Sequence, residues 1–313
     1  MRASTKALMA KHGWRIDKAI HNYIYFAFYY PYVWTITQFV VKVSPYFAWF
    51  IPMNPFLRMI ANRYHAKVLS GPNVTKILEL QEDLSAVTDR NKKIIPFEYA
   101  YKILLQNPQY NAVMDCPCKK AAKSDPDTIN SCICVGMKTA EFWIDRCGEK
   151  YNARRINQQE ALNLVKRFRK MGYITQAFFK VATGGSTGVI CSCHKNDCTA
   201  LKAHFQIKKY DPHLRMIAES GYSVKFSQSA KCKSCMTCAK ICQFEAIEFN
   251  SGKRNYNRDS CIGCGLCVEH CESGVIELYR DTEKSVPLDI DLVREEYVKV
   301  QPPVTNKKIR SVR

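Results

Sequence analysis

Acidic residues are scarce in this chain of 313 residues: 28 Asp and Glu stand against 47 Lys and Arg, a net charge of +19. The shortage is sharpest over residues 1–70, where nine Lys and Arg face one acid, Asp17. A surplus of this size attracts acidic partners or anionic lipid over long range. Long apolar runs are lacking as well. The uncharged stretch 22–41 is crowded with Tyr, broken by Pro31 and interrupted by Asn22, Thr35, Thr37 and Gln38, so a transmembrane helix is not expected. No twin-arginine pair and no small-residue cleavage site mark the first residues, which argues against export. Signatures of a catalytic triad, a flavin or nicotinamide loop, or paired carboxylates are also missing. The Gly-Gly-Ser-Thr-Gly turn at 184–188 lacks the Lys of a phosphate-binding loop and reads as a plain connection. With 47% hydrophobic and 24% charged residues, the chain is neither a disordered tail nor a multi-span membrane protein.

Cysteine is what the sequence has in excess, with 16 residues in two blocks. Cysteines three apart are poor disulfide partners for each other but good neighbours around a metal. The thiols are therefore expected to be reduced and metal-bound in the cytoplasm.

The second block is a duplication. Cys232, Cys235, Cys238 and Cys242 recur 29 residues later as Cys261, Cys264, Cys267 and Cys271, and Ala246-Ile247-Glu248 recurs as Val275-Ile276-Glu277. Three closely spaced thiolates wrap one corner of an iron–sulfur cube, and the fourth reaches the other cube. On that rule Cys232, Cys235, Cys238 and Cys271 hold one [4Fe–4S] cluster, and Cys261, Cys264, Cys267 and Cys242 hold the second. Gly263 and Gly265 supply backbone freedom in the second loop. Residues 223–281 resemble the bacterial two-cluster ferredoxin family. The proline usual there after each fourth cysteine is replaced by Gln243 and Glu272, while all eight ligand positions stand. A pair of zinc sites is the competing reading of the quartets, but zinc commonly takes two Cys-x2-Cys pairs instead.

The first block is looser. Cys116, Cys118, Cys132, Cys191, Cys193 and Cys198 are six candidates for the four positions of a third cluster; a zinc site with His194 as a possible ligand, and free structural thiols, are the alternatives. Residues 95–281 as a whole are similar to a group of poorly characterised anaerobe iron–sulfur proteins. The likeness rests on Cys116/Cys118 with Lys119, Cys132 with Gly136, Gln159-Glu160-Ala161-Leu162, and Cys191/Cys193/Cys198. His194 stands where that group would have cysteine. Cys134 and Cys147 fall outside the resemblance and read as small buried hydrophobes. The remaining histidines, His12, His21, His65, His204, His213 and His270, show no metal-ligand spacing.

These signals predict an α+β chain, mainly helical in its N-terminal and central regions. Residues 1–70 form basic aromatic helices on a membrane surface or a docking partner, or, as the blander alternative, against the protein's own core, with Ile16, Ile20, Ile24, Ala27 and Phe28 along the apolar side and Tyr25 and Tyr29 on the other. Residues 71–222 form a helical cysteine-containing domain, with helices expected over 74–87, 97–106 and 158–171, the last stopped by Gly172. Residues 223–285 form the two-cluster module, and 286–313 a tail whose end from 301 is a disordered basic extension. The expected function is single-electron transfer within an anaerobic oxidoreductase complex on the cytoplasmic face of a membrane. Redox-enzyme subunits or an acidic soluble carrier are the expected partners. An iron–sulfur reductase with a catalytic upstream site is the first alternative. Nucleic-acid binding, which the basic charge permits, is the weaker one because no binding motif accompanies it.

Overall fold

The computed structural model of the chain describes residues 24–51, 53–55, 64–84, 107–180, 188–211, 217–227 and 231–300. The expectations for residues 1–23, for residues 85–87 of the helix at 74–87, for the helix over 97–106, for 184–187 and for the tail from 301 lie outside the described residues, and within them the helix expected at 74–87 already ends at Glu79, with Leu80 extended. Helices and sheets together give the expected α+β composition. The central region carries more helix than strand among its described residues, but its helices are laid on a sheet that the expectation did not include.

Seven strands make that sheet: β1 (Tyr64–Leu69), β2 (Asn111–Asp115), β3 (Asn130–Val135), β4 (Arg154–Ile156), β5 (Ile174–Lys180), β6 (Val189–Cys193) and β7 (Ile217–Ala218). Their order is β4-β2-β3-β6-β5-β1-β7, antiparallel except for the β1–β7 pair. Both β2 and β6 are buried at every position, so they carry near-continuous apolar runs instead of an alternating pattern. In β3 and β6 half of that apolar run is cysteine. Thiols that read as ligands in a loop thus also serve as small hydrophobes in a strand, which is why the sheet escaped the sequence reading.

Helices cover both faces. One face packs Val113, Ile133, Val135 and Ile190 against α2 (Gly71–Glu79) and α5 (Gln158–Lys170). The helix expected at 158–171 is α5; Asn157 caps it by accepting the Glu160 amide at 2.8 Å. Gly172 leaves it in the left-handed region at φ 88°. The other face carries Met114, Cys132, Cys134, Cys191 and Cys193 toward Trp143, Leu201 and the aromatic N-terminal segment.

That segment contains α1 (Tyr29–Gln38). Phe26 meets the rings of Phe142 and Trp143 at 4.9 and 5.6 Å, and Tyr30 stacks on Tyr151 at 3.4 Å. The face turned inward is therefore the tyrosine side: Tyr25 is buried, whereas Ile24 and Phe28, on the apolar side expected to meet a membrane or a partner, are turned outward. The physical reason is that Tyr30 finds a buried partner for its hydroxyl, donating to the Asp115 carbonyl, while the rings fill the space beside Trp143. Trp34, Phe39, Val41, Val43, Tyr46, Trp49, Phe50 and Met53 continue the exposed apolar side. Among the described residues no helix is long and apolar enough to cross a membrane.

After β7 the chain leaves the sheet and builds two small antiparallel ladders, β8 (Tyr222–Phe226) with β11 (Ile276–Arg280) and β9 (Ile247–Asn250) with β10 (Lys253–Tyr256).

Candidate functional site

Four separate elements bring the six upstream cysteines together. Cys116 ends the strand-to-helix turn after β2, and Cys118 lies in the first turn of α3 (Pro117–Ala122). Cys132 in β3 is paired in register with Cys191 in β6, their sulfurs 3.5 Å apart. Cys193 follows on the same face of β6, and Cys198 caps α6 (Thr199–Lys208). The turn is fixed by the Cys116 amide donating to Ile129 at 2.8 Å, and by Asp115, whose carboxylate accepts from Lys120, Asn130 and Asn152.

The six thiols lie close together, each influencing the acidity of two others in the closed order 116, 118, 198, 193, 191, 132 and back to 116, and the Cys132 and Cys191 sulfurs are within hydrogen-bonding distance at 3.5 Å. Five are buried and Cys118 is half-buried. Their acidities alternate around the ring. Hydrogen bonds received from neighbours pull Cys118, Cys132 and Cys193 below the ordinary thiol value, and donation holds Cys116, Cys191 and Cys198 above it. Below the ring Lys119, 1% exposed, donates to Thr128 O and Ser131 Oγ at 2.9 Å and lies over the rings of Phe168 and Tyr173 at 4.2 and 4.3 Å. Its charge favours the thiolate of Cys132. The resemblance drawn from the sequence includes this lysine, but its burial depends on the packing of α5 and could not be read from spacing.

Cys134 and Cys147, read as small buried hydrophobes, and His194, the possible zinc ligand, stay outside the ring. Cys134 and Cys147 are buried in the neighbouring core, and burial raises both thiols, Cys147 to about 12. His194 rests against Tyr173 at 5.3 Å, and its Nδ1 accepts the Asn196 amide at 3.3 Å.

In the duplicated region the repeat extends to the backbone. Helices α7 (Thr237–Ile241) and α8 (Leu266–Glu269) start 29 residues apart. Positive φ recurs at the same offset: Ser234 with Gly263, Met236 with Gly265, and Glu245 with Gly274. Gly263 is required for a further reason, since a Cβ there would lie 2.1 Å from the Tyr222 carbonyl. The first repeat adopts the same turn with Ser234 and Met236 and bears a cost of about 1–2 kcal/mol at each.

The second loop is buried and the first is open. Cys261 and Cys267 are buried, whereas Cys235 is exposed beside the exposed Lys231 and Lys233. Burial pushes the Cys264 thiol up to about 12, with Cys242 and Cys261 adding to the rise, and the Cys267 thiol is raised by burial and by Cys264, Cys261 and Cys242. Cys242 thus sits among the three thiols of the other repeat. Cys232, Cys238 and Cys271 pack around the core of Val224, Ile247 and Val275, and Arg254 approaches the Cys232 sulfur at 3.7 Å.

The buried end abuts the ring of six. Gln243, next to Cys242 and 5% exposed, donates through Nε2 to Gly172 O at 2.7 Å and Cys193 O at 3.3 Å, and accepts the Lys195 amide at 2.7 Å. Arg169 donates to Cys264 O at 2.7 Å and grips Glu269 through Nε and Nη2. The residue that replaces the expected proline is therefore the joint between the two cysteine sites.

Among the described residues no three His, Cys, Asp or Glu side chains gather as a single metal ion would require.

Residues 231–276 match the 4Fe-4S dicluster domain family. Pyruvate synthase subunit PorD of Thermotoga maritima is 41% identical over 54 residues, 17% of this chain and 54% of that protein. An uncharacterized ferredoxin of Methanocaldococcus jannaschii is 43% identical over 47 residues, 14% of this chain and 28% of its own length. The chain thus spans about half or less of these relatives, and each likeness is confined to a short segment of it. No solved structure matches the chain at comparable significance. Cysteine spacing, repeated backbone turns and these likenesses together make residues 231–276 a ferredoxin-type dicluster domain that carries two [4Fe–4S] clusters.

Proposed function

We propose that this chain relays single electrons between an external redox partner and a third, upstream iron–sulfur centre held by cysteines of the six-membered ring, as a subunit of an oxidoreductase complex. The clusters supply one-electron transfer without proton chemistry. The chain contributes ligands, burial and proximity. In this reading Cys232, Cys235, Cys238 and Cys271 ligate the outer cluster, and Cys261, Cys264, Cys267 and Cys242 the inner one. The exposed loop around Cys235, with Lys231 and Lys233, receives an acidic partner. The buried loop around Cys264 faces the upstream ring.

The observation that carries the proposal is the Gln243 joint, which ties the residue after Cys242 to the carbonyl of Cys193. Membership of a redox complex is supported by the likeness of the module to a pyruvate synthase subunit. Placement at a membrane surface is supported by the exposed apolar row from Trp34 to Met53, with Lys42 among it. A domain division at 70, 222 and 285 fits this reading, with the amendment that β1 joins the central sheet.

The test is iron analysis of anaerobic full-length protein with low-temperature EPR. Iron clearly beyond the about eight atoms of the module, and magnetic interaction between its signals and a further centre, are expected. A count of about eight refutes the upstream centre and the relay with it.

A further inference from the structure

Four cysteines saturate a cubane, one per iron. The upstream ring presents six, and nothing in its construction sets four apart. Cys132 and Cys191 are paired in register with sulfurs 3.5 Å apart, Cys193 follows on the same face of β6, Cys116, Cys118 and Cys198 lie at the adjoining helix starts, and each thiol influences the acidity of two others of the six. Uninvolved thiols have a different setting in this protein: Cys134 and Cys147 share the neighbouring core but stand outside the ring.

A second, independent observation lies one strand away. Gln176 in β5 is paired in register with Cys191, as Cys191 is with Cys132, so Cys132, Cys191 and Gln176 form one row on one face. The Gln176 side chain is fully buried, and neither its Nε2 nor its Oε1 has a hydrogen-bond partner. A buried amide left in that state is costly and calls for a group that meets it. Sulfides of an iron–sulfur cluster accept such N–H bonds, and second-shell donors of this kind tune the potential.

We infer that the chamber takes an iron–sulfur cluster larger than a cubane, ligated by all six thiolates of Cys116, Cys118, Cys132, Cys191, Cys193 and Cys198, with the Gln176 amide donating to it. The inference rests on the reading of an upstream centre and extends it from four ligands to six.

The test counts iron and acid-labile sulfide in the anaerobic full-length chain and in six single variants, Cys116→Ala, Cys118→Ala, Cys132→Ala, Cys191→Ala, Cys193→Ala and Cys198→Ala. The parent chain should hold more than about twelve irons, the total for three cubanes. Every variant should lose or alter the upstream centre while keeping the module's about eight irons and their EPR signals, which also reports on folding. About twelve irons, with two of the six substitutions silent, would overturn the inference and leave an upstream cubane in place. About eight irons in the parent chain would defeat the upstream centre itself. Where an alanine variant fails to accumulate, the parent count decides. Gln176→Leu should retain all the iron and lower the potential of the upstream centre; an unaltered potential refutes the role of the amide.

Discussion

Gln243→Leu is the substitution that most directly probes the joint between the two cysteine sites. Leucine keeps the volume and removes three hydrogen bonds, two at 2.7 Å and one at 3.3 Å. It also strands the Lys195 amide and the Gly172 carbonyl against an apolar side chain at a site only 5% exposed. At about 1 kcal/mol net per bond, with the longer one counted as a fraction, the joint should weaken by about 2–3 kcal/mol. Because every 1.4 kcal/mol is a factor of ten, protection of the Lys195 amide against hydrogen exchange should fall by about 30- to 150-fold. Iron in the module should stay at about eight atoms, since Gln243 ligates nothing. The assay is hydrogen exchange resolved to the segment around Lys195, paired with EPR of the reduced protein to follow interaction between centres. Exchange within about threefold of the parent value would show that Gln243 is no clamp, and the argument linking the two sites would lose its main support.

Three further outcomes can be measured. Lys119→Met removes a buried positive charge next to Cys132, so the upstream centre should accept an electron less readily and its midpoint potential should fall in a redox titration; a rise or no change would refute the electrostatic role. Met236→Gly replaces a residue held at φ 58° by the residue type found at its repeat, Gly265, and should stabilise the first loop by up to about 1 kcal/mol in denaturant unfolding, with iron content unchanged. Lys67 is buried in β1, and desolvation first, then Arg280, lowers its pKa from 10.5 to about 7. Between those values the unfolded chain binds the extra proton, so stability should climb as pH rises from about 7 toward 10.5. Lys67→Met should lack that climb in unfolding curves collected across the range, and an identical slope in both proteins would place the titration elsewhere.

The two cysteine sites differ in how far their construction can be followed in the chain itself. In the duplicated module each loop closes within a dozen residues, so spacing alone carries the geometry. Ser234 and Met236 occupy left-handed positions that only the repeat, and no residue type, could have suggested. The upstream ring joins a turn after β2, one residue of β3, two of β6 and the start of α6. Cys132 and Cys191, whose sulfurs lie 3.5 Å apart, are separated by 59 positions and meet only because β3 and β6 lie side by side in that register. The strands themselves were hidden because cysteine takes aliphatic positions in them. The N-terminal segment buries its tyrosine side because an aromatic body can bury as readily as an aliphatic one when its hydroxyl finds a carbonyl.

Local spacing along the chain therefore determined that two iron–sulfur cubes would form, because the loops that wrap them are short and self-contained. Tertiary structure alone decided that six distant thiols should share one chamber, that Gln243 should bolt the inner half of the dicluster domain against it, and that the outer half should meet solvent. Those arrangements depend on strand register and on which helix end lies beside which loop, and such long-range packing leaves no periodic trace in the residues that take part in it.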